Sequence, residues 1–269
     1  FAVPPKGGAS LAVTVHDLAF RRRPDHFTRN GLRFFERGLS ITRREADIVV
    51  CPSHATADDC LHAGLDGDRI RVVPHGVRVP DVTADEVQAF RDRHRLSRPY
   101  VMWSGTLEPR KNVGGLIRAF ERLRASGEDV DLVLVGPRGW GQDQVSTAAS
   151  NSAHVRLFGF LPERELHVAY AAAAAFAYPS TWEGFGLPVL EAMAHGIPVV
   201  TSRGTAMAEF VGDGGVLVDP QDEDEIASAL QRAIGPEHEV LAAGARRAAG
   251  SMTWASAAER LAEIYRLLS

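Results

Sequence analysis

Cysteine is scarce: there are two, Cys51 and Cys60, in 269 residues. They form neither a C-x-x-C pair nor a zinc-ligand spacing, which excludes a disulfide scaffold and reads as two reduced, buried thiols. Long apolar runs are missing as well. The best candidate, Ala169 to Pro179, falls short of the roughly 20 residues that cross a bilayer and has polar flanks. No signal peptide is legible: the chain opens F-A-V-P-P-K-G-G without an initiator Met and reads as a trimmed piece. The ten histidines show no H-E-x-x-H spacing. The glycine-rich stretch G-P-R-G-W-G, Gly136 to Gly141, has no Walker lysine and reads as a strand–helix loop at a cleft. No G-x-G-x-x-G follows a strand, which leaves a NAD-dependent dehydrogenase as a weak reading. D-x-D triplets begin at Asp66, Asp129 and Asp222. Each stands in a turn, before a strand or at a helix start, so no metal is expected.

What is present is ordinary for a globular cytosolic protein: 45% hydrophobic and 24% charged residues. The net charge is −4, yet residues 1–44 carry nine Lys and Arg against three acids. That asymmetry points to an anionic partner for the N-terminal part. Arg29, Arg33 and Arg37 recur on the helix expected over Thr28 to Ala46, just after Arg21, Arg22 and Arg23. A solvated helix face is the plainer reading. The sharper one is peripheral contact with an anionic membrane that carries a lipid-linked acceptor. A cytoplasmic protein is expected, with peripheral contact at the inner membrane face as the sharper reading, and a nucleic-acid partner is not.

Short β-branched runs alternate with helical stretches. Strands are expected at Leu11–Val15, Asp47–Cys51, Arg69–Pro74, Tyr100–Ser104, Asp131–Gly136, His154–Phe158, Ala175–Tyr178, Pro198–Ser202 and Gly215–Val218. Strands separated by helices imply parallel sheets covered on both faces. Ser53 caps the next helix, Pro188 stands in the first turn of another, Gly196 ends it, and Asp222 to Glu225 put acids at a helix start. The last helix, Thr253 to Leu268, has an apolar stripe at Trp254, Ala258, Leu261, Ile264 and Leu268. The domains read as 1–98, a partial N-terminal domain with its linker, then 99–252, then a final helix over 253–269. Three strands are few for a doubly wound sheet, so the first half of the N-terminal domain is expected to be absent.

Three constellations carry chemistry. E-G-F-G-L-P-V-L-E, Glu183 to Glu191, follows a strand and opens a helix. Gly184 and Gly186 let backbone approach a ligand, the amides of Phe185, Gly186 and Leu187 face outward at the positive helix end, and Glu183 and Glu191 can each accept from a vicinal diol. The structural alternative is a tight turn with two surface glutamates. S-G-T-L-E-P-R-K-N, Ser104 to Asn112, lies at the carboxyl end of a strand, where open α/β sheets bind ligands. Gly105 and Thr106 line it, and Arg110 and Lys111 can neutralise a diphosphate; a capping loop with solvated basic residues is the alternative. In V-T-V-H-D-L, His16 ends a strand, and a lone histidine is more often structural.

Together with R-I-R-V-V-P-H-G-V, F-G-F-L-P and G-G-V-L-V-D-P, these motifs occur in the order found in retaining glycosyltransferases of family 4, which the chain resembles over almost its whole length. The resemblance implies the α/β GT-B fold, two Rossmann-like doubly wound parallel-sheet domains facing a cleft. It implies that Glu183 contacts donor-sugar hydroxyls, Glu191 the ribose diol, Arg110 and Lys111 the diphosphate, and His16 the sugar near its reacting carbon. The backbone at Phe160 and Leu161 would meet the base, and the final helix would cross back to the N-terminal domain. Many members have Arg where this chain has Thr106, which shifts phosphate contact onto Arg110. The activity implied is retaining transfer of a hexosyl group, mannosyl by mild preference, from a GDP- or UDP-linked sugar to a saccharide or lipid-linked acceptor, with no further cofactor. A sugar-nucleotide epimerase or hydrolase, and a non-catalytic sugar-nucleotide-binding module, stay open.

Overall fold

The structure, a computed structural model, describes residues 2–137, 139, 147, 149 and 152–268. The stretch Gly136 to Gly141 lies partly outside the described residues. Contacts divide the chain into two compact units, one of Phe1–Gly76, Trp182–Phe185 and Met252–Ser269, the other of Val77–Thr181 and Gly186–Ser251.

In the first unit, β1 (Ala12–Thr14), β2 (Ile48–Cys51) and β3 (Ile70–Val72) form a parallel sheet in the order β1-β2-β3. The central strand reads I-V-V-C, and all four residues are buried. Its side chains alternate between faces. Val49 and Cys51 join a cluster with Phe20 of α1 (Ala19–Arg22), with Leu39 of α2 (Arg29–Glu45) and with Ala57 and Cys60 of α3 (His54–His62). Ile48 and Val50 join Val73 and, from α10 (Trp254–Arg266), Ala257 and Ile264. The buried face of α10 is Ala257, Leu261 and Ile264, continued by Leu268 beyond its end. Ala258, assigned to the stripe by sequence, is exposed, and Trp254 is half exposed. Thr28 and Ser53 cap α2 and α3 by accepting amides three residues on.

The second unit is built on a six-stranded, wholly parallel sheet in the order β6-β5-β4-β7-β8-β9. Its strands are β4 (Tyr100–Ser104), β5 (Asp131–Val135), β6 (Val155–Gly159), β7 (Ala175–Tyr178), β8 (Val199–Ser202) and β9 (Gly215–Val218). The helices whose bounds lie among the described residues are α4 (Ala84–Arg93), α5 (Val113–Ala125), α6 (Glu163–Ala171), α7 (Leu187–Ala194), α8 (Glu223–Ile234) and α9 (His238–Gly250). The near-continuous apolar strands Y-V-M-W-S, D-L-V-L-V and A-F-A-Y are buried throughout, as both-face coverage requires. α5 packs on α8, and α7 on α6 and α9.

Residues 77–98, grouped by sequence with the N-terminal part, make their contacts in the second unit. There α4 packs on α6, and Arg164 Nε donates to Glu86 Oε1 at 2.9 Å. β4 lies in the middle of its sheet: the chain runs outward through β5 and β6, returns to β7, and runs outward the other way through β8 and β9. The order therefore reverses between β4 and β7, and a crevice opens at the carboxyl ends of such a strand pair.

Candidate functional site

Two loops leave that reversal. The loop after β4 begins at Gly105, whose φ of +148° lies in the left-handed region. Its N–H donates to Val135 O at 2.9 Å. Gly136, at the end of β5, is pressed so close that a Cβ there would stand 1.9 Å from Gly105 O. Both glycines are required by this backbone crossing. Pro109 to Lys111 form one 3-10 turn, and Asn112 enters α5 in the left-handed region at φ 52°.

That turn aims Arg110 and Lys111 differently. Lys111 is buried, donates from Nζ to the Tyr178 hydroxyl, and lies 4.8 Å over the Tyr178 ring. Arg110 Nε pairs with Glu108 Oε2 at 3.0 Å, so an acid inside the same motif already faces this guanidinium. The backbone of Arg110 receives the second loop: Thr181 N and Oγ1 donate to its carbonyl at 2.8 and 3.1 Å. Thr106 is partly exposed, Leu161 is buried, and Phe160 is 76% exposed on the loop between β6 and α6.

The second loop, after β7, enters α7 through Gly186, which takes φ 102° as the N-cap. A Cβ there would stand 2.4 Å from Met207 Cγ. The carbonyl of Gly186 accepts from Val189 N at 3.0 Å and Leu190 N at 3.3 Å. Pro188 has no N–H, so the turn presents Gly186 and Leu187 as donors to an anion. Glu191, one turn along α7, is partly buried and accepts from the Tyr170 hydroxyl at 3.1 Å. Burial pushes its carboxyl above the ordinary glutamate range, the Tyr170 hydrogen bond opposes that, and Glu163 adds to it.

Trp182, Glu183, Gly184 and Phe185 make their contacts in the first unit. Ser53 Oγ donates to Gly184 O at 2.6 Å, and Thr56 Oγ1 donates to the same carbonyl at 3.1 Å. A Cβ on Gly184 would meet His16 O at 2.1 Å. The sequence argued that Gly184 admits a ligand; here its missing side chain admits the His16 backbone. Glu183, beside it, is buried. Trp182 lies under the Arg22 guanidinium, 3.6 Å from carbon to ring centre, while Arg22 Nη2 holds Asp59 at 2.6 Å. His16 is exposed, and its neighbour Asp17 is engaged locally, accepting from Ala19 N at 3.0 Å.

Several participants were not singled out in the sequence. His75 stands with His16 at 5.6 Å, Phe185 at 4.9 Å and Trp254 at 5.6 Å between ring centres. Burial, and then the nearby His16, lower its pKa. The next residue, Gly76, would bring a Cβ to 2.0 Å from Trp254 N. The signal was available in P-H-G-V. Glu108 carried none beyond membership of a motif, Tyr178 none beyond its place in a strand, and Tyr170 lies outside every motif. Among the described residues no group of three or more His, Cys, Asp or Glu side chains is arranged to hold a metal ion. Asp66 and Asp222 cap backbone amides, Asp129 pairs with Arg98 and Arg124, and Asp131 meets His154. No described helix is long and apolar enough to cross a membrane.

Comparison with known proteins agrees with this architecture. The model of the family "Glycosyl transferases group 1" matches residues 85–247, and that of "Glycosyltransferase Family 4" matches residues 2–79. The O-antigen chain mannosyltransferase B of Escherichia coli is 30% identical over 266 residues, covering 95% of this chain and 70% of that protein. The MMP alpha-(1->4)-mannosyltransferase of Mycolicibacterium hassiacum is 29% identical, covering 97% and 66%. Among solved structures, Anabaena Alr3699/HepE in complex with UDP-glucose superposes with a TM-score of 0.83 at 24% identity, covering 96% of this chain and 72% of that one. WaaG, a glycosyltransferase involved in lipopolysaccharide biosynthesis, does so with 0.76 at 20%, covering 95% and 75%. The chain thus spans about two thirds or more of these relatives. It has the α/β GT-B fold that they share and belongs to the group 1 glycosyl transferases.

Proposed function

We propose that the protein to which this chain belongs is a retaining hexosyltransferase, taking a nucleoside-diphosphate sugar as donor and a saccharide or lipid-linked acceptor. The observation that carries this reading is the pairing of two loops at the strand-order reversal of the second unit. One brings Lys111 and Arg110, the other the start of α7 and Glu191, and Thr181 ties them together at the Arg110 carbonyl. Cations beside a helix start suit a diphosphate, and a carboxylate one turn further suits a ribose diol.

In this reading the bond from the sugar anomeric carbon to the diphosphate oxygen loosens, and negative charge grows on the leaving phosphate. Lys111, Arg110 and the amides of Gly186 and Leu187 stabilise that charge where it develops. The acceptor hydroxyl attacks the same face of the sugar as the leaving group departs, and its proton passes to the diphosphate. Glu183 and His16 take the sugar-facing roles that the family resemblance assigns. The names of the E. coli and M. hassiacum relatives favour a mannosyl donor. The exposed Arg29, Arg33 and Arg37 on α2 favour peripheral contact with an anionic membrane.

The test is a thermal-shift screen of GDP- and UDP-linked hexoses, followed by a transfer assay with lipid-linked and free saccharide acceptors. A true donor at a hundred times its dissociation constant stabilises by roughly 2.7 kcal/mol. Acceptor-dependent product with retained anomeric configuration supports the reading. Release of free sugar or of an isomer without an acceptor refutes it.

A further inference from the structure

Behind Glu191 lies a hydroxyl relay that the donor reading does not use. Tyr170, on α6, is fully buried. Its hydroxyl is 2.5 Å from Ser104 Oγ and donates to Glu191 Oε2 at 3.1 Å. A phenol has one proton. Given to Glu191, that proton leaves Ser104 as the donor to Tyr170, so the chain is polarised from β4 toward the carboxylate, and each bond strengthens the next. The ring cannot move aside. It packs against Phe176 at 5.4 Å between centres and stacks on His195 at 6.0 Å and 15°, and His195 Nε2 is 3.0 Å from His167 Nδ1.

We propose that Tyr170 is a positioning residue for the donor: its hydroxyl, fixed by Ser104, holds the Glu191 carboxylate ionised and turned to receive the ribose diol. This rests on the assignment of Glu191 to the ribose. The surroundings make the relay necessary. Burial disfavours the carboxylate, and Glu163 at the start of α6 adds like charge. His195, one turn along α7, is held mostly neutral by burial, with a pKa lowered to about 4, and burial lowers His167 as well. Neither imidazole therefore supplies a steady positive charge near neutrality. From β7 the titratable side chain is Tyr178, engaged by Lys111. α9 brings Arg246 against Gly196, beyond the end of α7. The Tyr170 hydroxyl is thus the group on hand to favour the ionised form.

The experiment is calorimetric titration of Tyr170→Phe and Ser104→Ala with UDP and GDP, and with their 2′-deoxy counterparts, from acid to neutral pH. For Tyr170→Phe we expect ribonucleotide affinity to fall about tenfold, the size of a hydrogen bond to a charged group, with a smaller loss for the 2′-deoxy forms. The pH below which binding is lost should move upward, because Glu191 then protonates more readily. Ser104→Ala should show a smaller shift of the same sign, without removing the ring. Combined with Glu191→Gln, Tyr170→Phe should add nothing. If Glu191→Gln abolishes the ribose preference but Tyr170→Phe changes neither that preference nor the pH midpoint, the proposal is overturned. If Glu191→Gln itself spares the ribose preference, the donor reading and the relay fall together.

Discussion

Gly184 rests on the main chain at His16, with room for nothing larger than hydrogen: a β-carbon there would lie 2.1 Å from the His16 carbonyl oxygen. Two hydroxyls, from Ser53 and Thr56, hold the other side of the same residue through its carbonyl. Gly184→Ala should therefore act first on stability. We expect a loss of about 1–3 kcal/mol, the usual cost of overpacking, with an unchanged denaturant m-value. Urea titration in the absence of nucleotide checks it, and a midpoint equal to the parent's would contradict the close approach.

Lys111 should discriminate by phosphate. Its ammonium is buried against Tyr178. Lys111→Met keeps the aliphatic stem and removes the charge, so affinity for nucleoside diphosphates should fall by about tenfold or more while affinity for the bare nucleoside is unchanged. Titration calorimetry with UDP, GDP and the matching nucleosides reads the difference.

Glu191 should trade stability for binding. Its carboxyl is raised by burial, so ionising it in the folded state is unfavourable. The stability it contributes is present below the ordinary glutamate pKa and is lost as pH rises through the folded value. Glu191→Gln should accordingly raise the unfolding midpoint of the nucleotide-free protein at neutral pH and leave it unchanged in acid, while weakening nucleotide binding. Parallel melts at both pH values decide this.

His195 should make the second unit sensitive to mild acid. Its folded pKa is lowered to about 4 by burial, then by His167 and Arg164. The unfolded chain takes up a proton near pH ~6.5, so stability declines as pH falls from there and levels off below the folded value. His195→Asn should flatten that decline. Unfolding free energy measured as a function of pH is the readout, and an unaltered slope would speak against it.

Much of this was legible in the amino-acid order. The parallel strands stand out because both-face burial forces apolar runs such as Ile48-Val49-Val50-Cys51, and the Ser53 cap and the acids from Asp222 to Glu225 mark helix starts chemically. α10 was located with its stripe partly misassigned: Ala257 and Ala258 are identical side chains, and only the sheet beneath decides which one turns inward. The loops with Arg110, Lys111, Gly186 and Glu191 were legible through charge, glycine and proline in fixed order. Their supports were not. Tyr170 reaches Glu191 from another helix, and Glu108 faces Arg110 only because Pro109 starts a tight turn. Gly184 looked like an opening for a ligand because sequence cannot say whose atoms occupy the space a missing side chain leaves.

The placement of α10 has a consequence for synthesis. One face of the β1-β2-β3 sheet, with Ile48, Val50 and Val73, is covered by the final segment of the given chain. On a ribosome those side chains stay bare while some two hundred following residues are made, which takes about 10–40 s at about 5–20 residues per second. The last helix therefore acts as a late seal on this face of the sheet.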